Sequence, residues 1–182
     1  LQQEANRKLG FTAKRTMQTA QQLYEGVDIG GETVGLISYM RTDSVTLSAD
    51  ALKEIRHVIM TQYGNDTLPP EPRYYKAKSK NAQGAHEAVR PSSVMRLPKA
   101  ISGSLTPDQA KLYELIWKRT VASQMVDARG QSVSVRIGAT ASDGRDAELA
   151  ASGRSITFPG YLRAYVEGTD DPDAALDDRE TL

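Results

Sequence analysis

Apolar residues recur at intervals of three and four along four stretches of the chain, a spacing that predicts amphipathic helices. Two of these helices lie within residues 1–26 and are separated by Gly10, which supplies a left-handed stop. The third begins after the cap residue Ser48 and ends at Gly64. The fourth begins after Thr106, where a proline and a capping box mark its start.

After residue 127 the apolar period changes from 3.6 to 2, which is typical of a strand with one solvated face. Val133, Val135 and Ile137 alternate with polar residues, and Asp143-Gly144 is a hairpin signal. Further strand candidates lie at residues 33–38, 147–151 and 156–158. So few strands are not expected to be stable without neighbours.

These patterns predict a mainly α chain with a smaller β part. We divide it into a helical domain over residues 1–125, a partial β domain over 126–168 and an acidic, loosely ordered tail over 169–182. Seven acidic residues and one arginine lie between 166 and 182, so the rest of this chain of zero net charge is basic. A basic excess is compatible with a polyanionic partner, and equally with a solvated surface of mixed charge.

Composition excludes several classes of protein. A content of 39% hydrophobic and 25% charged residues is typical of soluble globular chains, and no apolar run reaches the roughly 20 residues of a membrane helix. The absence of cysteine excludes disulfides, thiolate metal sites and a cysteine nucleophile. Only two histidines are present, His57 and His86, which argues against an all-protein zinc site. Because the chain begins at Leu1, without an initiator methionine or signal peptide, we expect it to be part of a longer protein.

Tyr39 and Arg41 form the first candidate group. A phenol has a pKa of about 10, so a tyrosine is a good nucleophile only where its phenolate is stabilised. An arginine presents a fixed positive fork that suits a phosphate, and in an extended backbone these two side chains lie on the same side. The pair therefore suits phosphoryl transfer from a phosphodiester. The alternative is a packed Tyr39 ring with Arg41 paired to Asp43.

A basic stretch followed by a histidine and an arginine forms the second candidate group: Lys76, Lys78, Lys80, His86 and Arg90. Lysines at alternate positions can follow a phosphate backbone. Ser79 or Asn81 could cap a short helix that places the histidine and the arginine on one face. A histidine there could bind a phosphate oxygen or transfer a proton. The alternative is a surface histidine paired with Glu87 or another carboxylate.

Together the two groups resemble the type IA DNA topoisomerases, and within that family the bacterial branch. The family's active-site segment has the pattern G-[Y/L]-I-[T/S]-Y-M-R-T-D-S, which residues 35–44 match at every position. Its second segment has the pattern A-Q-E-A-H-E-A-I-R-P, which residues 82–91 match except at Val89 and Gly84. Gly84 replaces the usual carboxylate. Similar segments near the start of the chain and at residues 115–120 extend the resemblance over essentially the whole sequence.

The resemblance implies a helical, nucleophile-bearing domain followed by part of an antiparallel β domain that acts as the hinge of a DNA gate. Enzymes of the family relax supercoiled DNA by cutting one strand through a 5′-phosphotyrosine intermediate, passing the other strand and religating. By this resemblance Tyr39 is the nucleophile, Arg41 holds the scissile phosphate, and His86 contacts that phosphate or a neighbour. Asp43 orients Arg41 or its loop. DNA contacts are implied for Arg41 and Asp43 themselves and for four further cationic residues: Lys76, Lys78, Lys80 and Arg90.

The resemblance also implies components that these residues do not supply. The family's Mg²⁺-binding Toprim domain is expected to precede Leu1, so no metal ligand is assigned here and the isolated chain is expected to be inactive. The implied partners are DNA, single-stranded at the cleavage site, and the other domains of the same enzyme. Exposed β edges add possible pairing with a second copy. The implied location is the bacterial nucleoid in the cytoplasm, away from membranes.

Two alternatives remain open at this point. A topoisomerase III-like decatenase or a reverse gyrase would share the chemistry, although residues 39–44 and 85–91 favour the topoisomerase I pattern. In a different class, the chain would be a non-catalytic DNA-binding helical module, with a helix-turn-helix sought in residues 1–26. Only the topoisomerase hypotheses predict a covalent adduct between DNA and Tyr39.

Overall fold

The computed structural model describes residues 1–76 and 86–166. Within them the chain forms five α-helices, three short 3-10 helices and two antiparallel two-stranded sheets, which confirms a mainly α fold with a smaller β part. The α-helices are α1 (Gln2–Leu9), α2 (Ala13–Glu25), α3 (Ala49–Tyr63), α4 (Pro98–Ile101) and α5 (Pro107–Ser123). The 3-10 helices span Asn65–Thr67, Ser102–Ser104 and Gly160–Arg163. The strands are β1 (Val27–Ile29), β2 (Glu32–Val34), β3 (Arg129–Thr140) and β4 (Asp146–Phe158).

Hydroxyl side chains begin three of the helices at the predicted positions. The Thr12 hydroxyl accepts a backbone N–H of the first turn of α2 at 3.2 Å, and the Ser48 hydroxyl does the same for α3 at 3.3 Å. Thr106 and Gln109 form a reciprocal capping box at the start of α5. These bonds satisfy N–H groups that a helix start otherwise leaves unpaired. At the other end of α1, Gly10 has the predicted left-handed conformation, with a φ of 66°.

Helix α5 lies at the centre of the helical core and packs against α2 and α3. Leu23 of α2 and Ile55 of α3 are fully buried. Two polar groups on α5 find partners in the loop before α4: the Tyr113 hydroxyl and Trp117 Nε1 donate to backbone carbonyls there, both at 2.8 Å. Buried polar groups are normally paired in this way. The buried face of α5 includes the predicted positions Leu112, Tyr113, Ile116, Trp117 and Val121.

Residues 129–158 form a long hairpin, which we call the β arm. Strands β3 and β4 pair from Arg129↔Phe158 to Thr140↔Asp146, so the predicted hairpin is confirmed. The separate strand candidates at 147–151 and 156–158 are in fact one continuous strand. One face of the arm carries apolar side chains that remain 49–71% exposed: Val133, Val135, Ile137 and Leu149. No other described element covers this face.

After the β arm the chain returns to the helical core. The Tyr161 N–H donates to the Val126 carbonyl at 2.9 Å, and the Val126 N–H donates to the Thr67 carbonyl at 3.0 Å. These bonds fasten both ends of the arm to the turn after α3. The buried Tyr165 then contacts α1 and α5 through three side chains: Glu4, Lys8 and Arg119. Residues 159–165 therefore pack with the helices, although the predicted division at residue 125 places them with the β domain.

The strand predicted at residues 33–38 is shorter in the structure. β2 ends at Val34, because the chain then passes close to the C-terminal end of α2 instead of continuing the sheet. Beyond that point Ile37 makes an isolated antiparallel bridge to Pro91.

Several predictions fall outside the described residues. Lys78, Lys80 and Gly84 lie between residues 77 and 85, and the acidic tail lies after residue 166. Among the described helices, none has both the length and the apolar character needed to cross a membrane.

Candidate active site around Tyr39

Residues 35–41 position the predicted nucleophile. The Leu36 N–H donates to the Leu23 carbonyl at the end of α2, at 2.7 Å, and Leu36 itself is fully buried. Met40 is also buried, whereas Tyr39 on one side of it is 42% exposed and Arg41 on the other is exposed. Buried neighbours therefore fix the backbone while the tyrosine and the arginine face solvent.

A second segment, residues 86–92, pairs with the tyrosine segment. The Ser38 N–H donates to the Arg90 carbonyl and the Ser92 N–H donates to the Leu36 carbonyl, both at 2.9 Å. These bonds flank the antiparallel bridge at Ile37. The pairing brings together the two motifs that the sequence analysis singled out, although about 50 residues separate them along the chain.

The Ser38 side chain adds two bonds between the same segments. Its hydroxyl donates to the Ala88 carbonyl at 2.7 Å and accepts the Arg90 N–H at 3.0 Å. Ser38 is partly buried and directly precedes Tyr39. A single hydroxyl thus satisfies two backbone groups of the neighbouring segment, which would otherwise need water or another partner.

The short helix predicted to carry His86 and Arg90 is wrong over the described residues, because residues 86–90 have no helical structure. Its predicted cap residues, Ser79 or Asn81, lie outside the described residues. Their backbone groups are used by neighbouring segments instead: the Ala88 N–H donates to the Thr46 carbonyl at 2.9 Å, and its carbonyl accepts from Ser38. An N–H that donates to another segment is not available for a helical bond. His86 is exposed at the start of this extended stretch.

Glu87 fastens the histidine segment to α3. Its carboxylate accepts the Ser48 N–H and an Arg90 Nη2 donor, each at 2.8 Å. Burial opposes ionisation, but the hydrogen bonds from Arg90 and Ser48 outweigh it and lower the pKa of the Glu87 carboxyl. Arg90 also donates to the carbonyls of Pro91 and Ser92, at 2.8 and 3.2 Å. Its guanidinium is therefore engaged within the protein, and its predicted contact with DNA stays a prediction.

Arg41 is exposed and makes no hydrogen bond or ion pair with any described residue, Asp43 included. The loop that follows it is held by its own side chains. Thr42 Oγ1 accepts the Ser44 N–H at 3.0 Å, and Ser44 Oγ accepts the Thr46 N–H at 3.2 Å. Such short-range bonds define the loop without Arg41. In the described part of the chain its guanidinium is thus available to a ligand.

An open groove of about 1050 Å³ extends from the Arg41 loop to α1 and α5. Its charged lining comprises three arginines and two carboxylates: Arg7, Arg41, Arg119, Glu4 and Asp43. A small excess of positive charge in a concave site favours an anion. Tyr39 and His86 are not among the lining residues, so the groove adjoins the nucleophile segment and does not enclose it.

The described residues do not fit a metal site. Within residues 1–76 and 86–166 no group of three or more histidine or acidic side chains converges. Mg²⁺ is held by carboxylates, water and phosphate oxygens in nearly octahedral geometry, and the side chains around Tyr39 do not offer such a set.

Of the lysines predicted to contact DNA, Lys76 is exposed at the end of the first described range.

Three residues contribute to the site in ways that the sequence did not predict: Tyr24, Ser38 and Glu87. Ser38 and Glu87 lie inside the two motifs, directly beside Tyr39 and His86. A hydroxyl and a carboxylate next to candidate catalytic residues are therefore a sequence signal that could have identified them. From the sequence, Glu87 is predicted only as a partner of the histidine. Tyr24 lies outside both motifs, and its ring reaches Tyr39 only because α2 ends beside residue 35.

The family model, the curated relatives and the solved structure that match this chain are all DNA topoisomerases. A DNA topoisomerase family model matches residues 1–180. DNA topoisomerase 1 of Streptomyces coelicolor is 62% identical over 180 residues, which are 99% of this chain and 18% of that protein. DNA topoisomerase 1 of Xylella fastidiosa strain Temecula1 is 52% identical over 98% of this chain and 22% of its own length. The full-length topoisomerase I structure from Thermotoga maritima superposes with a TM-score of 0.73 at 36% identity, over 94% of this chain and 27% of that one. The chain thus spans about a fifth of the curated relatives it matches.

Proposed function

The chain belongs to the DNA topoisomerase family, and we propose that it supplies the strand-cutting tyrosine of an enzyme that relaxes supercoiled DNA. We use the term full-length protein for a protein in which these residues occupy the same segment as in the longer relatives. In that protein one DNA strand is cut, the other passes through the gap, and the break is resealed. The substrate is single-stranded at the point of cleavage.

In the proposed step the phenol oxygen of Tyr39 attacks a backbone phosphorus. A bond from the phenol oxygen to phosphorus forms as the bond from phosphorus to the 3′ oxygen breaks. The 5′ phosphate stays on the tyrosine, and the phenol proton ends on the departing 3′ oxygen. Because one phosphodiester replaces another, religation is the reverse step and needs no external energy source.

Two cationic or polar side chains serve the phosphate in this proposal. Arg41 binds the scissile phosphate through its planar fork and offsets the charge that develops there. Its exposure and its lack of an ion pair among the described residues support this role. His86 contacts the same phosphate or a neighbouring one, where an imidazole can donate a hydrogen bond or transfer a proton. Asp43 lines the groove beside Arg41 without an ion pair to it, and its proposed role is to orient Arg41 or the loop and to contact DNA.

One observation supports the proposal more than any other. Tyr39 is exposed on a segment whose backbone is hydrogen-bonded to the segment that carries His86. Catalytic groups act on one bond only when the backbone holds them within reach of the same atoms. The backbone pairing places the segments that carry Tyr39 and His86 side by side.

The test is single-turnover cleavage of a single-stranded oligonucleotide by the full-length protein. Tyr39→Phe should abolish cleavage and keep most of the DNA affinity, since it removes one hydroxyl. Tyr74→Phe is the matched control, because Tyr74 is 79% exposed, makes no hydrogen bond to a described residue and lies outside both motifs. Cleavage by Tyr39→Phe would refute the proposal.

Arg41 is tested by the same measurement. Loss of a charge-assisted phosphate contact costs about 1.5–3 kcal/mol, so Arg41→Ala should cleave roughly 10- to 150-fold more slowly. Arg41→Lys should recover only part of the rate, because a lysine lacks the two-pronged fork. Wild-type cleavage by Arg41→Ala would refute the proposed contact between Arg41 and the scissile phosphate.

The proposal assigns Mg²⁺ and its ligands to other parts of the full-length protein, and no step above passes through the metal. Accordingly the isolated 182-residue chain should not relax supercoiled plasmid even when Mg²⁺ is added. Relaxation by the pure chain would contradict this division of roles. The site of action would be the bacterial nucleoid, where the DNA substrate lies.

Self-association of the isolated chain through the β arm is the second part of the proposal. The arm exposes an apolar face and two unpaired strand edges, which tend to recruit another strand. Light scattering over a concentration series should show a rising mass for the isolated chain. Val135→Lys should prevent the rise, whereas Ser134→Lys on the opposite face should have a smaller effect. A constant monomer mass would exclude pairing between copies.

A further inference from the structure

The ring of Tyr24 lies against the ring of Tyr39. Their centroids are 5.3 Å apart and the ring planes meet at 64°, an edge-type contact. Such pairs are favoured by the charge distribution of aromatic rings. Neither phenol makes a hydrogen bond to a described residue, and each residue is about 40% exposed. Within the described chain, the Tyr39 side chain therefore makes an aromatic contact with Tyr24 and no hydrogen bond.

Tyr24 is itself held firmly. It lies in the last turn of α2, and the next segment is joined to that turn by the bond from the Leu36 N–H to the Leu23 carbonyl. Both leucines are fully buried, so the joint is anchored in the core. The Tyr39 ring therefore meets a neighbour whose backbone cannot easily move.

Gly35 permits this close approach. A Cβ at residue 35 would lie 2.8 Å from the Tyr24 carbonyl oxygen, which is closer than such contacts normally occur. Any larger residue would push the tyrosine segment away from α2 and separate the two rings. The glycine that opens the active-site motif thus sets the distance between Tyr24 and Tyr39.

We propose that Tyr24 is a positioning residue for the nucleophile, which rests on the proposed function of Tyr39. An exposed tyrosine can rotate about two side-chain bonds, and in most of its orientations the phenol oxygen does not point at the phosphate. The edge contact restricts the ring to fewer orientations, so a larger fraction of bound DNA faces an aligned phenol oxygen. An aromatic pair of this kind changes the equilibrium between aligned and unaligned orientations of the ring by about twofold to tenfold.

Single-turnover cleavage by the full-length protein tests this inference with three variants. Tyr24→Ala should lower the cleavage rate at saturating oligonucleotide about twofold to tenfold, with the half-saturating concentration unchanged. Tyr24→Phe keeps the ring and should restore the wild-type rate. Tyr24→Leu fills the surface without a ring, should be slow, and replaces the alanine variant if that one does not fold. Tyr74→Ala is the control for loss of an exposed tyrosine.

Three outcomes would overturn the inference: a wild-type rate in Tyr24→Ala or Tyr24→Leu, failure of Tyr24→Phe to restore the rate, or a loss confined to DNA affinity. Thermal unfolding of each variant separates slow cleavage from loss of folded protein. Failure of the proposed function is recognised separately, because neither the wild type nor any variant at position 24 would then form an adduct at Tyr39.

Discussion

The Ser38 hydroxyl joins the tyrosine segment to the histidine segment by donating to the Ala88 carbonyl at 2.7 Å and accepting the Arg90 N–H at 3.0 Å. Ser38 directly precedes the predicted nucleophile, and Ala88 lies two residues after His86. The distance between the two candidate catalytic residues thus depends on a small side chain that has no chemical role of its own.

Replacement of Ser38 should damage both stability and cleavage. Ser38→Ala removes two hydrogen bonds worth about 0.5–1.5 kcal/mol each and leaves two partly buried backbone groups without a partner. We expect a free energy of unfolding lower by about 1–3 kcal/mol in urea titrations, and slower cleavage by the full-length protein. Ser38→Thr keeps the hydroxyl and should behave nearly as the wild type. Equal stability of the alanine and threonine variants would show that these bonds do not hold the segments together.

Stability should depend on the charge of Glu87. Because its pKa is lowered in the folded state, its contribution is fully present above the ordinary glutamate pKa of about 4.3 and is lost as the pH falls through the lower folded value. Glu87→Gln should therefore be less stable than wild type at pH 7, and the difference should shrink as the pH falls below 4. The measurement is urea unfolding at several pH values.

Glu71→Gln is the matched control for that titration. Glu71 is exposed and has no ion pair among the described residues, so its variant should follow the wild-type pH dependence closely. If the stability difference between Glu87→Gln and the wild type stayed constant from pH 7 to pH 3, the ionised Glu87 carboxylate would not be the stabilising group.

Gly160 should be essential for docking the end of the β arm. Its φ is +50°, and a Cβ there would lie 2.5 Å from the Asp127 carbonyl oxygen. Gly160→Ala combines an unfavourable backbone conformation with a clash, so it should destabilise the chain by about 1–3 kcal/mol. Gly153→Ala, in an open part of β4 with no positive φ, should change the stability by less than about 1 kcal/mol. Similar urea midpoints for the two variants would show that the close approach of residue 160 to Asp127 tolerates displacement.

The helices were predictable from sequence because their signals are local. Thr12, Ser48 and Thr106 bond to N–H groups within their own first turns, so the residues that determine each start are adjacent in the chain. The alternation at Val133 to Ile137 predicted the first strand of the β arm for a similar reason. The candidate residues Tyr39, Arg41 and His86 could be chosen because they lie in two compact motifs.

Contacts between distant segments were not predictable. The expected helix at His86 followed from local spacing, but the pairing with residues 36–38 uses the backbone groups that a helix needs. The role of Glu87 depends on the position of Ser48, and that of Tyr24 on the passage of Gly35 beside α2. Such relationships are set by tertiary packing, which leaves no periodic trace in the sequence.

Mapping the covalent adduct decides whether Tyr39 becomes joined to DNA. The full-length protein would be incubated with a 5′- and 3′-labelled single-stranded oligonucleotide, denatured before religation and digested for mass spectrometry. We predict a nucleotide attached through its 5′ phosphate to the peptide containing Tyr39, with the other product ending in a free 3′ hydroxyl. The proposed reaction at Tyr39 would be refuted by an adduct on a different residue or by attachment through a 3′ phosphate. It would also be refuted if no adduct formed under conditions of active relaxation.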